Sequence, residues 1–111
     1  MVRRRNFQVR WTLGAARDLE AIAAYVTNRS EERAAELRTG LVDAAESLGI
    51  HPARRRVVPE LHDLGIDLWR EVIVEHYRII YRVQSRRVLI SVALDGRRDV
   101  EHVLLERLIG Y

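Results

Sequence analysis

Apolar residues recur at helical spacing twice in the first half of the chain. The first run follows Thr12 and ends near Asn28; the second follows Ser30 and stops at Gly49. Thr and Ser are residue types that cap the start of a helix, and Gly commonly ends one. Because the connection between the two runs is so short, we expect an antiparallel helical hairpin. Its inward stripes are Ala15, Leu19, Ile22, Ala23 and Val26, then Ala34, Leu37, Leu41, Ala44 and Leu48.

Four shorter segments have the alternation, or the β-branched and aromatic content, of strands. They are Phe7 to Trp11, Leu68 to Val74, Tyr77 to Val83 and Arg87 to Leu94. The last three are separated by connections that are too short for a crossover helix. We therefore expect these three to form an antiparallel meander.

The rest of the chain completes an α+β fold. The segment from Ile50 to Gly65 holds both prolines and has no clear period, so we interpret it as a loop. Asp99 is a plausible cap for a last helix, whose apolar residues are Val100, Val103, Leu104 and Leu108. The sequence thus predicts one domain, residues 1–111, with an N-terminal helical hairpin on a small antiparallel sheet and a C-terminal helix.

The strand pattern also predicts which way the side chains point. A turn at Ser85 and Arg86 pairs Val83 with Val88 and Tyr81 with Ile90, and it continues to Ile79 with Val92 and Tyr77 with Leu94. This register places apolar residues together on the face that the hairpin covers. The opposite face then carries Arg78, Ile80 and Arg82 beside Ala93, Ser91 and Leu89, which leaves room for a ligand.

On that open face, we expect several guanidinium groups to converge. Antiparallel pairing brings Arg78 near the end of the last strand, where Arg97 and Arg98 follow, with Arg70 nearby. Such a cluster suits a polyanion or an acidic peptide. The alternative is an ordinary solvated face, whose arginines are neutralised by Glu71, Glu75, Asp95 and Asp99.

Composition narrows the chemistry. All 19 basic side chains are arginine, which recognises phosphate and carboxylate well but is a poor proton acceptor. There is no cysteine, so disulfides, thiol catalysis and thiolate metal sites are excluded, and a cytoplasmic location fits. The N-terminus is charged with no apolar run behind it, so we expect neither a signal peptide nor a membrane anchor. We predict no metal or other cofactor.

The ordered set of "AARDLEAIAAYV", a second helix, "REVIVEHYRIIYRV", an apolar strand and "GRRDVEHVLLER" resembles the RelE/ParE superfamily of bacterial type II toxins. The resemblance spans about Val9 to Arg107. It implies a cognate acidic antitoxin, which contacts DNA and wraps the toxin with its C-terminal segment. It also implies one of two activities: RelE-like toxins cleave mRNA on the ribosome, and ParE-like toxins inhibit DNA gyrase.

The residues that match the superfamily favour the ParE branch. Arg78 matches the arginine of the "YR" pair, and Arg98 matches the basic residue after the last strand; these would serve catalysis in a nuclease. The basic residues of the RelE branch correspond here to Trp69 and Glu71, and its tyrosine corresponds to about Leu104. The other candidates for proton transfer are His76, Tyr77, Tyr81, His102 and Tyr111.

The sequence therefore predicts a toxin that binds gyrase rather than an enzyme. We expect it to be neutralised by an antitoxin that docks on the helical hairpin around Leu19, Ile22, Leu37 and Leu41. A ribosome-dependent mRNA endoribonuclease is the alternative, and an inactive, partner-binding family member is a further one. Arg70, Arg78, Arg97 and Arg98 are the predicted contacts to the target or to an anion.

Overall fold

The computed structural model describes residues 6–110 and contains a four-stranded sheet with helices on both faces. The strands are β1 (Gln8–Trp11), β2 (Trp69–Val74), β3 (Tyr77–Gln84) and β4 (Arg87–Asp95). The helices are α1 (Leu13–Thr27), α2 (Glu31–Ser47), the short α3 (Pro59–His62) and α4 (Val100–Leu104), which continues as a π-helical turn over Leu105–Ile109. No helix within residues 6–110 is long and apolar enough to cross a membrane.

The three predicted helix caps are present. Thr12 accepts a hydrogen bond from the Ala15 amide, Ser30 from the Arg33 amide and Asp99 from the His102 amide, at 3.1, 3.1 and 3.2 Å. Each satisfies an N–H that the first turn of a helix leaves without an intrahelical partner. The α+β fold with its helical hairpin, meander and C-terminal helix is confirmed.

The sheet is mixed rather than purely antiparallel. Its order is β1-β4-β3-β2, and β1 pairs with β4 in parallel, while the other two pairs are antiparallel. The segment from 50 to 65 was predicted to be a loop, but it contains a 3₁₀ turn, Pro52–Arg54, and α3. Both begin with proline, whose fixed φ suits the first turn of a helix.

The predicted register holds only as far as Tyr81. Val83 pairs with Val88 and Tyr81 with Ile90, but the register then shifts by one residue between Ile80 and Tyr81. As a result Ile79 pairs with Ala93 and not with Val92, and Tyr77 pairs with Asp95 and not with Leu94. Such a bulge moves every later side chain of β4 to the opposite face.

The sheet therefore buries apolar side chains on both faces. The hairpin face, which the two long helices cover, carries Tyr77, Ile79, Tyr81, Val88 and Ile90. The outer face, which is the opposite one, carries a second core under α3 and α4. That core comprises Val58, Leu61, Trp69, Ile80, Val92, Leu94, Val100 and Leu104. The prediction of an open outer face is wrong for this half of the sheet, because the bulge turns Val92 and Leu94 outward and the 50–65 segment folds over them.

Candidate functional site

Arg78 lies on the outer face of β3 and is only 7% exposed. Its Nη1 and Nη2 donate to the two oxygens of Glu60 at 2.7 Å each, and its Nε donates to Glu71 Oε1 at 2.6 Å. These hydrogen bonds from Arg78 hold the pKa of the Glu60 carboxyl below its usual range. The same contacts, with Glu60 first, raise the pKa of Arg78. Arg78 is therefore a buried cation whose charge is already balanced.

Glu71 connects this pair to the arginine run of the 50–65 segment. Its side chain is completely buried, and Oε2 accepts from Nε and Nη2 of Arg56 at 2.5 Å. Arg56, Glu60, Glu71 and Arg78 thus form a set of two cations and two anions, here called the Arg78 network. Buried charges are tolerated when each is paired and hydrogen-bonded in this way. A glutamate stands where a nuclease would need a basic residue because it is the counter-ion of two arginines.

The chain after β4 packs directly on the stem of Arg78. A Cβ atom on Gly96 would lie 2.9 Å from Arg78 Cδ and 3.0 Å from the His76 carbonyl oxygen. A side chain at this position would require the Arg78 side chain or the neighbouring backbone to shift. The predicted proximity of Arg78 to the segment that carries Arg97 and Arg98 is therefore confirmed, although the charged groups do not meet.

The other three predicted arginines lie in separate places. Arg97 is exposed and donates to both oxygens of Asp95, and these bonds lower the pKa of that carboxyl to about 2. Arg98 is exposed beside α1, and no carboxylate of residues 6–110 pairs with it. Arg70 lies opposite Tyr81, hence on the hairpin face, where it donates to the Arg55 carbonyl. The predicted exposed cluster around Arg78 is therefore wrong, while an anion-binding role for Arg97 or Arg98 stays a prediction.

The tyrosines named as proton-transfer candidates are not placed for catalysis. Tyr81 is fully buried and donates to the Pro52 carbonyl, and burial raises its pKa to about 12. Tyr77 is 6% exposed, and burial raises its pKa as well. Leu104, at the position of the RelE tyrosine, is also buried, in the second core.

Neither histidine is hydrogen-bonded to the Arg78 guanidinium, and Tyr111 lies outside the described residues. His76 packs against the Tyr77 ring, and its Nε2 is 3.8 Å from Asp95. His102 is exposed near Glu106. Within residues 6–110, no proton-transfer candidate shares an exposed site with the Arg78 guanidinium, and no group of three His, Asp or Glu side chains is placed to hold a metal ion.

The hairpin residues predicted to contact an antitoxin are mostly internal. Leu19, Leu37 and Leu41 are 6%, 2% and 0% exposed and belong to the first core, so they cannot form a docking surface. Ile22 is half-buried and borders a cleft between α1 and β4. Helical spacing correctly identified the apolar stripe, but that stripe faces the sheet.

Two adjoining clefts at this end of the hairpin share Tyr25, which is 63% exposed. The first, of about 340 Å³, is lined by Asp18, Ala21, Ile22, Tyr25, Tyr77, Ala93, Leu94, Asp95 and Arg98. The second, of about 460 Å³, is lined by Tyr25, Val26, Arg29, Arg33, Leu37, His76, Tyr77 and Arg97. We call the pair the Tyr25 clefts. The signal that the sequence offered was Tyr25 itself, an aromatic residue beside the inward stripe rather than within it.

Comparison with known proteins assigns the chain to a family. A family model described as the ParE toxin of the type II toxin-antitoxin system parDE matches residues 9–100. A solved structure, "Chromosomal ParDE TA system from P. aeruginosa", has a similar fold with a TM-score of 0.65 and 22% sequence identity, covering 81% of this chain and 96% of that one. No curated protein sequence matches. Because the family model spans most of the chain, the protein belongs to the ParE toxin family of type II toxin-antitoxin systems.

Proposed function

We propose that this toxin acts by binding DNA gyrase and inhibiting it, and that it does not cleave RNA itself. The observation that carries this choice is the state of Arg78. A ribonuclease needs its arginine free to stabilise the charge that develops on phosphate. Here Glu60 and Glu71 occupy three of its N–H groups, and only 7% of Arg78 is exposed.

A second argument concerns proton transfer, which cleavage at a ribose 2′-hydroxyl requires. Tyr77 and Tyr81 are buried, and the position of the RelE tyrosine is a leucine in the second core. A gyrase inhibitor needs no such groups, because it acts through contacts that hold the enzyme in one state. The ribosome-dependent nuclease therefore has less support than the gyrase inhibitor.

The antitoxin partner that the family implies has a suitable place in the Tyr25 clefts. The exposed aromatic residue Tyr25 lines these clefts together with apolar Ile22 and Val26 and with Arg29, Arg97 and Arg98. Arg29 lies over the Tyr25 ring, with its guanidinium carbon 5.7 Å from the ring centre. An acidic amphipathic segment would place apolar residues against Tyr25 and carboxylates against these arginines. We therefore propose the Tyr25 clefts, rather than the inward stripe of the hairpin, as the antitoxin contact.

The gyrase proposal is tested by two assays run on the same purified toxin. In a supercoiling and cleavage assay, we expect loss of supercoiling and accumulation of cleaved DNA–gyrase complexes. In a ribosome-dependent cleavage assay, we expect mRNA to stay intact. Codon-phased mRNA cleavage with normal gyrase activity would overturn the proposal. Activity in neither assay, together with no growth arrest on expression without antitoxin, would favour an inactive family member.

A further inference from the structure

The half of the outer face that α3 and α4 leave uncovered carries a group of arginines in two rows across the sheet. In the first row Arg10 on β1 pairs with Leu89 on β4, which pairs with Arg82 on β3. In the second row, Gln8, Arg87 and Gln84 are paired in the same way. Paired residues share a face, and strands lie about 4.8 Å apart, so Arg10 and Arg82 are about 10 Å apart at the backbone. We call Arg10, Arg82 and Arg87 the arginine face.

The arginine face differs from the Arg78 network because its three arginines have no carboxylate partner within residues 6–110. No carboxylate of residues 6–110 is within ion-pair distance of Arg10, Arg82 or Arg87. Elsewhere Arg33, Arg38, Arg56, Arg78, Arg97 and Arg107 all pair with carboxylates. Three like charges on one surface repel each other, and an anionic ligand would relieve that repulsion.

Arg82 is also held in place. Its guanidinium carbon lies 5.6 Å from the centre of the Trp69 ring, a distance that fits a cation–π contact. Arg82 Nε and Trp69 Nε1 are buried donors without an acceptor in the described part of the chain. Buried donors normally have a hydrogen-bond partner. Two donors without an acceptor therefore lie at the same place as the unpaired charge of Arg82.

We propose that the arginine face binds the phosphate backbone of duplex DNA without regard to sequence. Arginine is suited to bidentate phosphate contacts, and duplex DNA presents a charge about every 1.7 Å along its axis. Glutamines Gln8 and Gln84 add neutral donors of the kind that also contact phosphate. A patch of this width meets several phosphates at once.

The aromatic rings of residues 6–110 near the arginine face are covered by other side chains, which makes duplex DNA a better candidate than a single strand. Proteins that bind single strands stack bases on exposed aromatic rings. Trp69 is 7% exposed and lies under Arg82. Half-buried Phe7 shares a cavity with Gln8, Gln84 and Arg87, but its ring packs against the first core and lies under Arg86. An acidic peptide is a poorer candidate as well, because peptide sites use apolar anchor pockets, and Leu89 is the apolar side chain that these two rows offer.

Binding of DNA by the arginine face does not depend on which enzyme the toxin inhibits. The site is made of positions other than Arg70, Arg78, Arg97 and Arg98, and binding is measured with DNA and the full chain alone. If gyrase is the target, the same surface would contact DNA beside the enzyme, which is itself a DNA-bound protein. The gyrase assay and the DNA assay can therefore fail independently.

The test measures fluorescence anisotropy of a labelled duplex of mixed sequence with the purified full chain over a range of salt concentrations. Each phosphate contact contributes about 0.9 to the slope of log affinity against log salt. We expect the variant with R10Q, R82Q and R87Q to lose about 2.7 from that slope and at least tenfold in affinity at low salt. The matched control carries R17Q, R54Q and R55Q, which removes the same charge from exposed arginines elsewhere.

Several results would overturn the proposal. One is an unchanged slope in the arginine-face variant, and another is an equal loss in the control, which would indicate only the effect of net charge. Binding of a polyglutamate peptide that needs the same three arginines, with no binding of DNA, would assign the surface to a protein partner instead. Circular dichroism checks folding, and the R10Q/R87Q double variant, which leaves the Trp69 contact intact, must show about two thirds of the slope change.

Discussion

Three N–H groups of the Arg78 guanidinium donate to carboxylates. Arg82, four residues further along the same strand, faces the same side but has no carboxylate partner within residues 6–110. The alternation of β3 predicts correctly that both face away from the hairpin. It does not predict their different surroundings, because Glu60 is brought to Arg78 by the fold of the 50–65 segment. The face on which a strand residue lies is determined by the local alternation, whereas its counter-ion is determined by how distant segments fold.

Loss of the Arg78 side chain should destabilise the protein. Removing one member of a buried ion pair leaves the partner charges without compensation, at a cost of about 3–5 kcal/mol. We therefore expect R78M to lower the free energy of unfolding by that amount in urea titrations followed by circular dichroism. Arg98 is exposed and has no ion pair within residues 6–110, so R98M should change stability by less than about 0.5 kcal/mol. Equal stability of the two variants would mean that the Arg78 network does not support the fold.

Among the helices and strands, the sequence predicted the features that depend on neighbouring residues in the chain. Caps at Thr12, Ser30 and Asp99 and the two-residue turns at Glu75 and Ser85 all lie where sequence signals placed them. The bulge in β4 was missed because nothing in an apolar run such as "VLISVAL" marks an extra residue. That single residue changes which face is buried, and so it removed the predicted ligand space around Arg78.

The helical hairpin also offers a direct test of the antitoxin contact, because α1 has two exposed large apolar side chains at opposite ends. Tyr25 lies in the proposed contact, while Leu13, which is 66% exposed, lines neither of the Tyr25 clefts. Truncating an aromatic anchor at an interface commonly costs about 2 kcal/mol, which is more than tenfold in affinity. We expect Y25A to weaken antitoxin binding by at least tenfold in calorimetric titrations and L13A to leave it within about twofold.

The antitoxin for that experiment is expected as a short adjacent reading frame for an acidic protein. If L13A weakens binding as much as Y25A, or if neither variant has an effect, the antitoxin does not use the Tyr25 clefts. The gyrase assay with Y25A then gives an independent reading of whether the toxin is still folded and active.

Across the fold, ion pairs between carboxylates and arginines stabilise both faces of the sheet. Asp95 pairs with Arg97 at the hairpin face, and Glu60 and Glu71 hold the Arg78 network at the outer face. Because the pKa values of Asp95 and Glu60 are lowered, neutral pH keeps both of these carboxylates charged and paired.

Stability should accordingly fall in acid. Hydrogen bonds from Arg97 lower the pKa of Asp95 to about 2, against about 3.9 in an unfolded chain. A carboxyl whose pKa is lower in the folded state stabilises the fold above the unfolded value, and that contribution is lost as pH falls through the folded value. The pKa of Glu60 is lowered as well. We expect the urea midpoint to decrease between about pH 4 and pH 2, and D95N to reduce that decrease.

Exposed Asp43 on α2 provides the matched control, since D43N makes the same chemical change away from these pairs. A D43N variant with the same acid profile as D95N would show that the Asp95–Arg97 pair is not responsible. A urea midpoint that stays constant from pH 5 to pH 2 would contradict the prediction for both sides of the sheet.

The parallel pairing of β1 with β4 determines when the sheet of this toxin can form during synthesis. Gln8 through Trp11 pair with Arg87 through Ile90, so β1 has no neighbour in the sheet until β4, the last of the four strands along the chain, has been made. Contacts of such long sequence separation also form slowly. Arg10 joins Arg82 in one row only at that moment, so a nascent or prematurely terminated chain lacks the assembled surface. We therefore expect that an antitoxin already present can meet the new chain before this surface is assembled.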